Sequence, residues 1–202
     1  NGPVPSDIVG AVDVGKYEFN IEKAKQLLKE AGYPDGFKLP PQYVSEGPHI
    51  LNPMVYIQDQ LKKIGIEMPL EQVEHTTYQD NMRKDMNSIA YVVFNRIPHV
   101  SWWLKDVYYG PSTVGTPTGV INYTHYNKSD SLIEQALVES DESKANAIYA
   151  EIQKQIMDEY VAIPLVEYGT TLVRRKEVDL GYDKHEGSLY YYWPLTEKTD
   201  IQ

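Results

Sequence analysis

The feature that most constrains this chain is the run at residues 89–94, IAYVVF, which breaks abruptly into NRIPHVSWW at 95–103. Six consecutive apolar residues, most of them β-branched or aromatic, read as a strand buried on both faces, as in parallel sheets. The polar and aromatic residues that follow would be delivered to the carboxyl edge of a sheet, where open α/β folds bind ligands. On these residues alone, a central strand followed by an ordinary loop with core tryptophans fits equally well.

The rest of the chain alternates between helical and strand signals. Asn20 is a natural N-cap for a helix whose Ile21, Ala24, Leu27, Leu28 and Ala31 share a face, with Gly32 and Pro34 ending it. A strand is expected over 37–44. A helix opened by Gly47-Pro48 should then carry Ile50, Leu51, Met54, Ile57, Leu61 and Ile64 inward. A strand over 66–73, a short helix over 75–84, the strand over 89–95 and a short helix near 102–109 follow. Residues 110–127 are loop-like, with five Ser/Thr, three Gly and two Pro. Ser131 with Glu134 suggests a capping box, and Asp141 caps a long helix carrying Ala145, Ile148, Tyr149, Ile152, Ile156 and Met157. Strands are expected over 163–168 and 171–174, and the tail run SLYYYWPL has strand character. Together these predict an α/β fold with a mainly parallel sheet, its strands near 37–44, 66–73, 89–95 and 163–168, flanked by helices on both faces.

Composition narrows the function. With 29 acidic against 19 basic residues and a net charge of −10, the chain lacks a nucleic-acid footprint. The absence of cysteine excludes disulfides, thiolate metal sites and cysteine nucleophiles. No nucleophile elbow, phosphate loop, dinucleotide fingerprint or HExxH occurs, and the five histidines show no metal-ligand spacing, so no cofactor is expected. The 17 tyrosines against three Phe and three Trp suit wet clefts, and equally a soluble surface. Adjacent Trp102 and Trp103 cannot both face one core, which leaves one to line a cleft. Arg96 at the end of a buried strand needs a carboxylate partner, supplied by the protein or by a ligand.

Several segments carry a family likeness. YEFNIEKAKQLLKEAGYPDGFKL (17–39) resembles the YDPEKAKALLAEAGYPDGF signature of the family 5 extracellular solute-binding proteins. The likeness continues in order through QDQLKKIGIEMPLEQVEHTTYQDNMRKDMNSIAYVVF (58–94), NYTHYNKSDSLIEQAL (122–137) and SDESKANAIYAEIQKQIMDEYVAIPLVEY (140–168). It implies the C-terminal lobe, of the periplasmic-binding-protein type II, of a two-lobed receptor that closes on a small solute and delivers it to the permease subunits of an ABC importer. On that basis 1–19 is expected to be a linker or hinge segment, 20–175 the lobe, and 176–202 a return toward an N-terminal lobe outside this chain. The implied location is extracytoplasmic, with a lipid anchor on the complete protein.

In peptide-binding members a strand ends in W-x-x-D-Y-P-D-P, whose first Asp pairs with the ligand's α-ammonium. Set against FNRIPHVSWW, that Asp falls on Arg96 and the proline on Pro98, and no Asp or Glu lies between Asp85 and Asp106. The resemblance thus implies an anionic or neutral ligand, an oligosaccharide among them, in place of a peptide. The ligand-binding candidates are Asn95, Arg96, His99, Trp102 and Trp103, with Tyr43 and Ser45 at the end of the 37–44 strand. Two other functions stay open on the residues themselves: a carbohydrate-active enzyme using tryptophans and scattered carboxylates, and a protein-interaction module with a tyrosine-rich patch.

Overall fold

Prolines decide how the strands are laid out. Pro40 and Pro41 cannot donate to a ladder, and neither can Pro69. In the computed structural model, which describes residues 2–93, 99–167, 175–179 and 200–201, the strands expected over 37–44 and 66–73 are therefore each split in two. β1 (Phe37–Lys38) pairs in parallel with β3 (Ile66–Glu67), and β2 (Gln42–Ser45) pairs in parallel with β4 (Leu70–Val73). Backbone bonds from Leu39 to the Glu67 carbonyl and from Gln42 to the Pro69 carbonyl carry the pairing across the breaks.

The chain divides into two compact units. The first comprises Tyr17–Val93 and Gly110–Tyr126. Its opening helix, α1 (Ile21–Glu30), is capped as the sequence implies: Asn20 Oδ1 accepts the Lys23 N–H at 2.9 Å, and Gly32 takes a φ of +89° just beyond the end. α2 (Pro48–Lys62) and α3 (His75–Arg83) pack on β2. Their buried residues Ile50, Met54, Tyr78 and Met82 join Val44, Met68 and Tyr91 in one core. Glu74 caps α3 by accepting the Thr76 and Thr77 N–H groups, and the Thr76 bond is the largest cause of its lowered pKa.

Loop 110–126 belongs to this unit and is organised around Asn122, which is fully buried. Its side chain bonds the Tyr126 carbonyl, the Thr113 hydroxyl and both the N–H and hydroxyl of Thr124. The loop is tied to the end of α3 by the Gly115 N–H on the Arg83 carbonyl and by His125 Nε2 at 2.9 Å from Asp85 Oδ2.

Two sheet expectations are corrected. The described part of the expected 89–95 strand, residues 89–93, is in no strand, because side chains occupy its hydrogen-bonding groups: Gln42 Oε1 takes the Ile89 N–H and the Tyr78 hydroxyl takes the Tyr91 carbonyl. Residues 163–167 are likewise outside any strand; Pro164 has no donor, and the segment is exposed. The expected strand at 171–174 and the SLYYYWPL tail lie outside the described residues.

The second unit comprises Asn1–Lys16, Phe94–Tyr109 and Asn127–Gln202. α4 (Val100–Val107) packs on α5 (Asp130–Val138), and α5 on α6 (Glu142–Asp158). α5 begins one residue before Ser131. Its N-cap is Ser129, whose hydroxyl donates to Gln155 Oε1 on α6 and makes no capping bond. α6 begins where the sequence implies, with Asp141 accepting the Ser143 and Lys144 N–H groups. The lead-in is pinned to this bundle. Buried Gln153 accepts the Val12 N–H and donates to the Gly10 carbonyl, and the Trp103 indole donates to the Pro3 carbonyl. β5 (Val178–Asp179) and β6 (Asp200–Ile201) form a short antiparallel pair.

Candidate functional site

The seven residues named from the sequence fall into three groups. Asn95 and Arg96 lie outside the described residues. Tyr43 and Ser45 belong to the first compact unit. His99, Trp102 and Trp103 belong to the second.

On β2, Tyr43 is half-buried and its backbone is clasped by the Asn87 amide. Ser45 is 1% exposed, with its hydroxyl 3.1 Å from His75 Nδ1 and accepting the Gly47 N–H at 3.4 Å. Its oxygen thus helps to turn the end of β2 into α2, so the structure gives Ser45 a folding role.

In the second unit, α4 explains how two adjacent tryptophans part company. Val100, Trp103, Leu104 and Val107 follow the i, i+3, i+4, i+7 spacing of a buried stripe. Trp103 is 7% exposed with its Nε1 satisfied by the Pro3 carbonyl at 3.0 Å, which places it in the core. Trp102 sits off that stripe, 47% exposed, with Lys105 Nζ 6.0 Å from its ring centroid. A half-open indole beside an ammonium offers a ligand a flat apolar face and a positive charge together. His99 caps the helix: Nδ1 accepts the Ser101 N–H at 3.2 Å and lies 2.7 Å from Ser101 Oγ, while the ring stands edge-on to Tyr149.

Sequence reasoning missed Asn87, Gln42, His75 and Lys105. None sits in a motif, and the first three act through partners 30 or more residues away. A groove of about 520 Å³ lies beside α2 and β3, lined by Gln58, Asp59, Lys62, Glu67 and Met68 among others, and none of the sequence-named residues borders it. Among the described residues, no group of His, Asp and Glu is placed to hold a metal ion, and no helix is long and apolar enough to cross a membrane.

Comparison with known proteins identifies the setting. The family model described as bacterial extracellular solute-binding proteins, family 5 middle, matches residues 1–104. The chain belongs to family 5 of the extracellular solute-binding proteins. This is a family of binding proteins and not of enzymes, so the carbohydrate-active-enzyme reading is set aside. The family 5 chain is 26% identical over 171 residues to the oligopeptide-binding protein AppA of Bacillus subtilis (strain 168), a match covering 73% of this chain and 29% of AppA. It is also 26% identical over 171 residues to the glutathione-binding protein GsiB of Salmonella choleraesuis (strain SC-B67), covering 82% of this chain and 33% of GsiB.

Among solved structures, MoaA from A.tumefacien R10, determined in complex with mannopinic acid, superposes with a TM-score of 0.81 at 31% identity, covering 100% of this chain and 41% of MoaA. DppA from Helicobacter pylori, in complex with the peptide STSA, gives a TM-score of 0.71 at 27% identity, covering 81% of this chain and 32% of DppA. The family 5 fold is thus α/β, as the alternation of strands and helices implies, and of the type II periplasmic-binding-protein class, as the family resemblance implies. The chain spans about a third of the length of the curated relatives it matches.

Proposed function

We propose that this chain is a ligand-binding lobe of a receptor that serves an ABC importer. The receptor traps a small solute between two lobes by hinge closure and presents the closed form to the permease. The observation that carries this reading is the match of the family model to the first half of the chain, together with the likeness of the whole of this chain to part of MoaA. The facing wall of the cleft is supplied by an N-terminal lobe of the same receptor, which acts outside the cytoplasm and is held at the membrane by a lipid anchor.

The proposed ligand is an acidic solute. Residues 86–105, which lead into and through the candidate edge, contain no Asp or Glu and hold Arg96, His99 and Lys105. Where peptide-binding relatives offer a carboxylate to an α-ammonium, this sequence has a guanidinium, whose planar fork matches a carboxylate bidentately. The MoaA complex supports the same polarity, since its ligand is mannopinic acid. Trp102 supplies a face for an uncharged portion of such a solute. Peptides are the second reading, favoured by the likeness to DppA with its bound STSA.

Calorimetric titration of this chain with mannopinic acid and with STSA tests the proposal. The acid should bind, weakly because half the cleft walls lie elsewhere, and Arg96→Ala should abolish the signal. Tighter binding of STSA, unaffected by Arg96→Ala, would overturn it in favour of the peptide reading.

A further inference from the structure

We infer that His99 is a directed hydrogen-bond donor to an oxygen of the solute: its Nδ1 is committed to the start of α4, so the neutral ring carries its hydrogen on Nε2. This deepens the reading of the solute as acidic and rests on it.

The tautomer follows from the direction of one hydrogen bond. The Ser101 backbone N–H can only donate, and it donates to His99 Nδ1 at 3.2 Å. Nδ1 therefore presents a lone pair, and a neutral imidazole with that pattern holds its hydrogen on Nε2. The Ser101 hydroxyl, 2.7 Å from Nδ1, meets the same lone pair and completes the cap. Nε2 has no hydrogen-bond partner among the described residues. A neutral Nε2–H has no lone pair to offer, so it neither ligates a metal ion nor accepts from an ammonium. It takes a carboxylate, carbonyl or hydroxyl oxygen.

The groups that fix the ring all belong to the same compact unit as the ring itself. The Val100 N–H donates to the Val9 carbonyl at 2.9 Å, which ties the start of α4 to the lead-in. Gly10 permits that approach: its φ is +88°, and a Cβ there would lie 2.4 Å from Val100 Cγ1. The imidazole stands edge-on to buried Tyr149, with ring centroids 6.1 Å apart. A donor anchored at backbone and ring loses little freedom on binding. Three residues on is the half-exposed Trp102, with the Lys105 ammonium near its ring. Residues 99–105 thus combine a fixed N–H, an open indole and a cation, and contain no carboxylate. That set suits an oxygen-rich anion and offers nothing to the ammonium of a peptide.

The test uses this chain with ¹⁵N-labelled histidine, and two variants. At about pH 8, above the ordinary histidine range, the imidazole nitrogen shifts of His99 should show a protonated Nε2 and a bare Nδ1. The signals lost in His99→Asn assign them among the five histidines. Asn is a preferred N-cap, so His99→Asn keeps an acceptor for the Ser101 N–H and removes the Nε2–H. Its Ser101 amide should stay protected from exchange while affinity for mannopinic acid falls about tenfold, the scale of a lost net hydrogen bond. His99→Gln, whose longer side chain can place an N–H further out, should recover part of that loss. A hydrogen on Nδ1 overturns the inference, and so does wild-type affinity in the Asn variant. Affinity that falls only together with Ser101 protection shows a purely structural role and overturns it too. If wild type binds no mannopinic acid, the acidic-solute reading fails by itself, and the nitrogen shifts still decide which nitrogen His99 presents.

Discussion

Gly36 and Gly65 meet backbone against backbone. A Cβ built on Gly36 would lie 2.0 Å from the Gly65 carbonyl oxygen, and both residues occupy the left-handed region, at φ +77° and +86°. They immediately precede β1 and β3, so this contact starts both strands in register, Phe37 opposite Ile66. No side chain can be accommodated there without moving one strand from the other.

The first prediction follows from that contact. Gly36→Ala should lower stability by about 3 kcal/mol, since it adds overpacking against a backbone to a positive-φ penalty. Gly32, at φ +89° with nothing within 4 Å of where a Cβ would stand, is the control: Gly32→Ala carries the conformational penalty alone, about 1 kcal/mol. Urea denaturation of both variants checks the difference, and equal costs would contradict the close approach.

The two tryptophans of α4 should separate cleanly. Trp103→Ala removes a buried indole and leaves the Pro3 carbonyl with one donor fewer, for a loss of about 3–5 kcal/mol. Trp102→Ala, on the half-exposed side, should cost about 0.5 kcal/mol. Thermal melts of the two variants decide it.

Tyr78 makes stability fall at high pH. Burial is the largest cause raising its pKa from 10.0 to about 12, and its hydroxyl donates to the Tyr91 carbonyl. The unfolded chain ionises this phenol near 10.0 while the folded chain holds it neutral. Its contribution is therefore complete below pH 10 and is lost as pH rises through about 12. Tyr78→Phe should cost about 1–2 kcal/mol at neutral pH and flatten that alkaline loss in pH-dependent denaturation.

Glu167 works in the opposite direction. Its oxygens accept the Ser6 N–H at 2.9 Å and the Ser6 hydroxyl at 2.7 Å, and the hydroxyl bond is the largest cause lowering its pKa. A depressed carboxyl stabilises the fold above its ordinary pKa and ceases to do so as pH falls through the folded value. Ser6→Ala should remove a small acid-side component of stability, limited by the exposure of the pair. An unchanged acid limb would show that the contact contributes nothing.

Local chemistry is legible where a residue acts on its own neighbourhood. Asn20, Gly32, Gly47-Pro48 and Asp141 each mark a helix boundary through groups within a few residues, and the structure places those boundaries there. Pro40-Pro41 and Pro69 are equally visible, yet apolar periodicity on either side of them implies single strands where the structure has breaks. Ser131 and Ser129 show a different limit: two hydroxyls two residues apart look alike until Gln155, on another helix, takes one of them. The candidate edge is hardest. Alternation puts Tyr43 and Ser45 on one strand, but their partners are Asn87 and His75, distant residues that no spacing announces. That Trp102 and Trp103 diverge follows from their adjacency, and only the helix phase tells which one faces solvent.

The central claim is that this family 5 lobe receives an acidic solute on an edge that has no carboxylate between Asp85 and Asp106. Side-by-side calorimetric titration with mannopinic acid and with the peptide STSA, on wild type and Arg96→Ala, tests it most directly. The account predicts measurable binding of the acid, weaker or absent binding of the peptide, and loss of the acid signal in the variant. Peptide binding that exceeds acid binding and survives Arg96→Ala would contradict it.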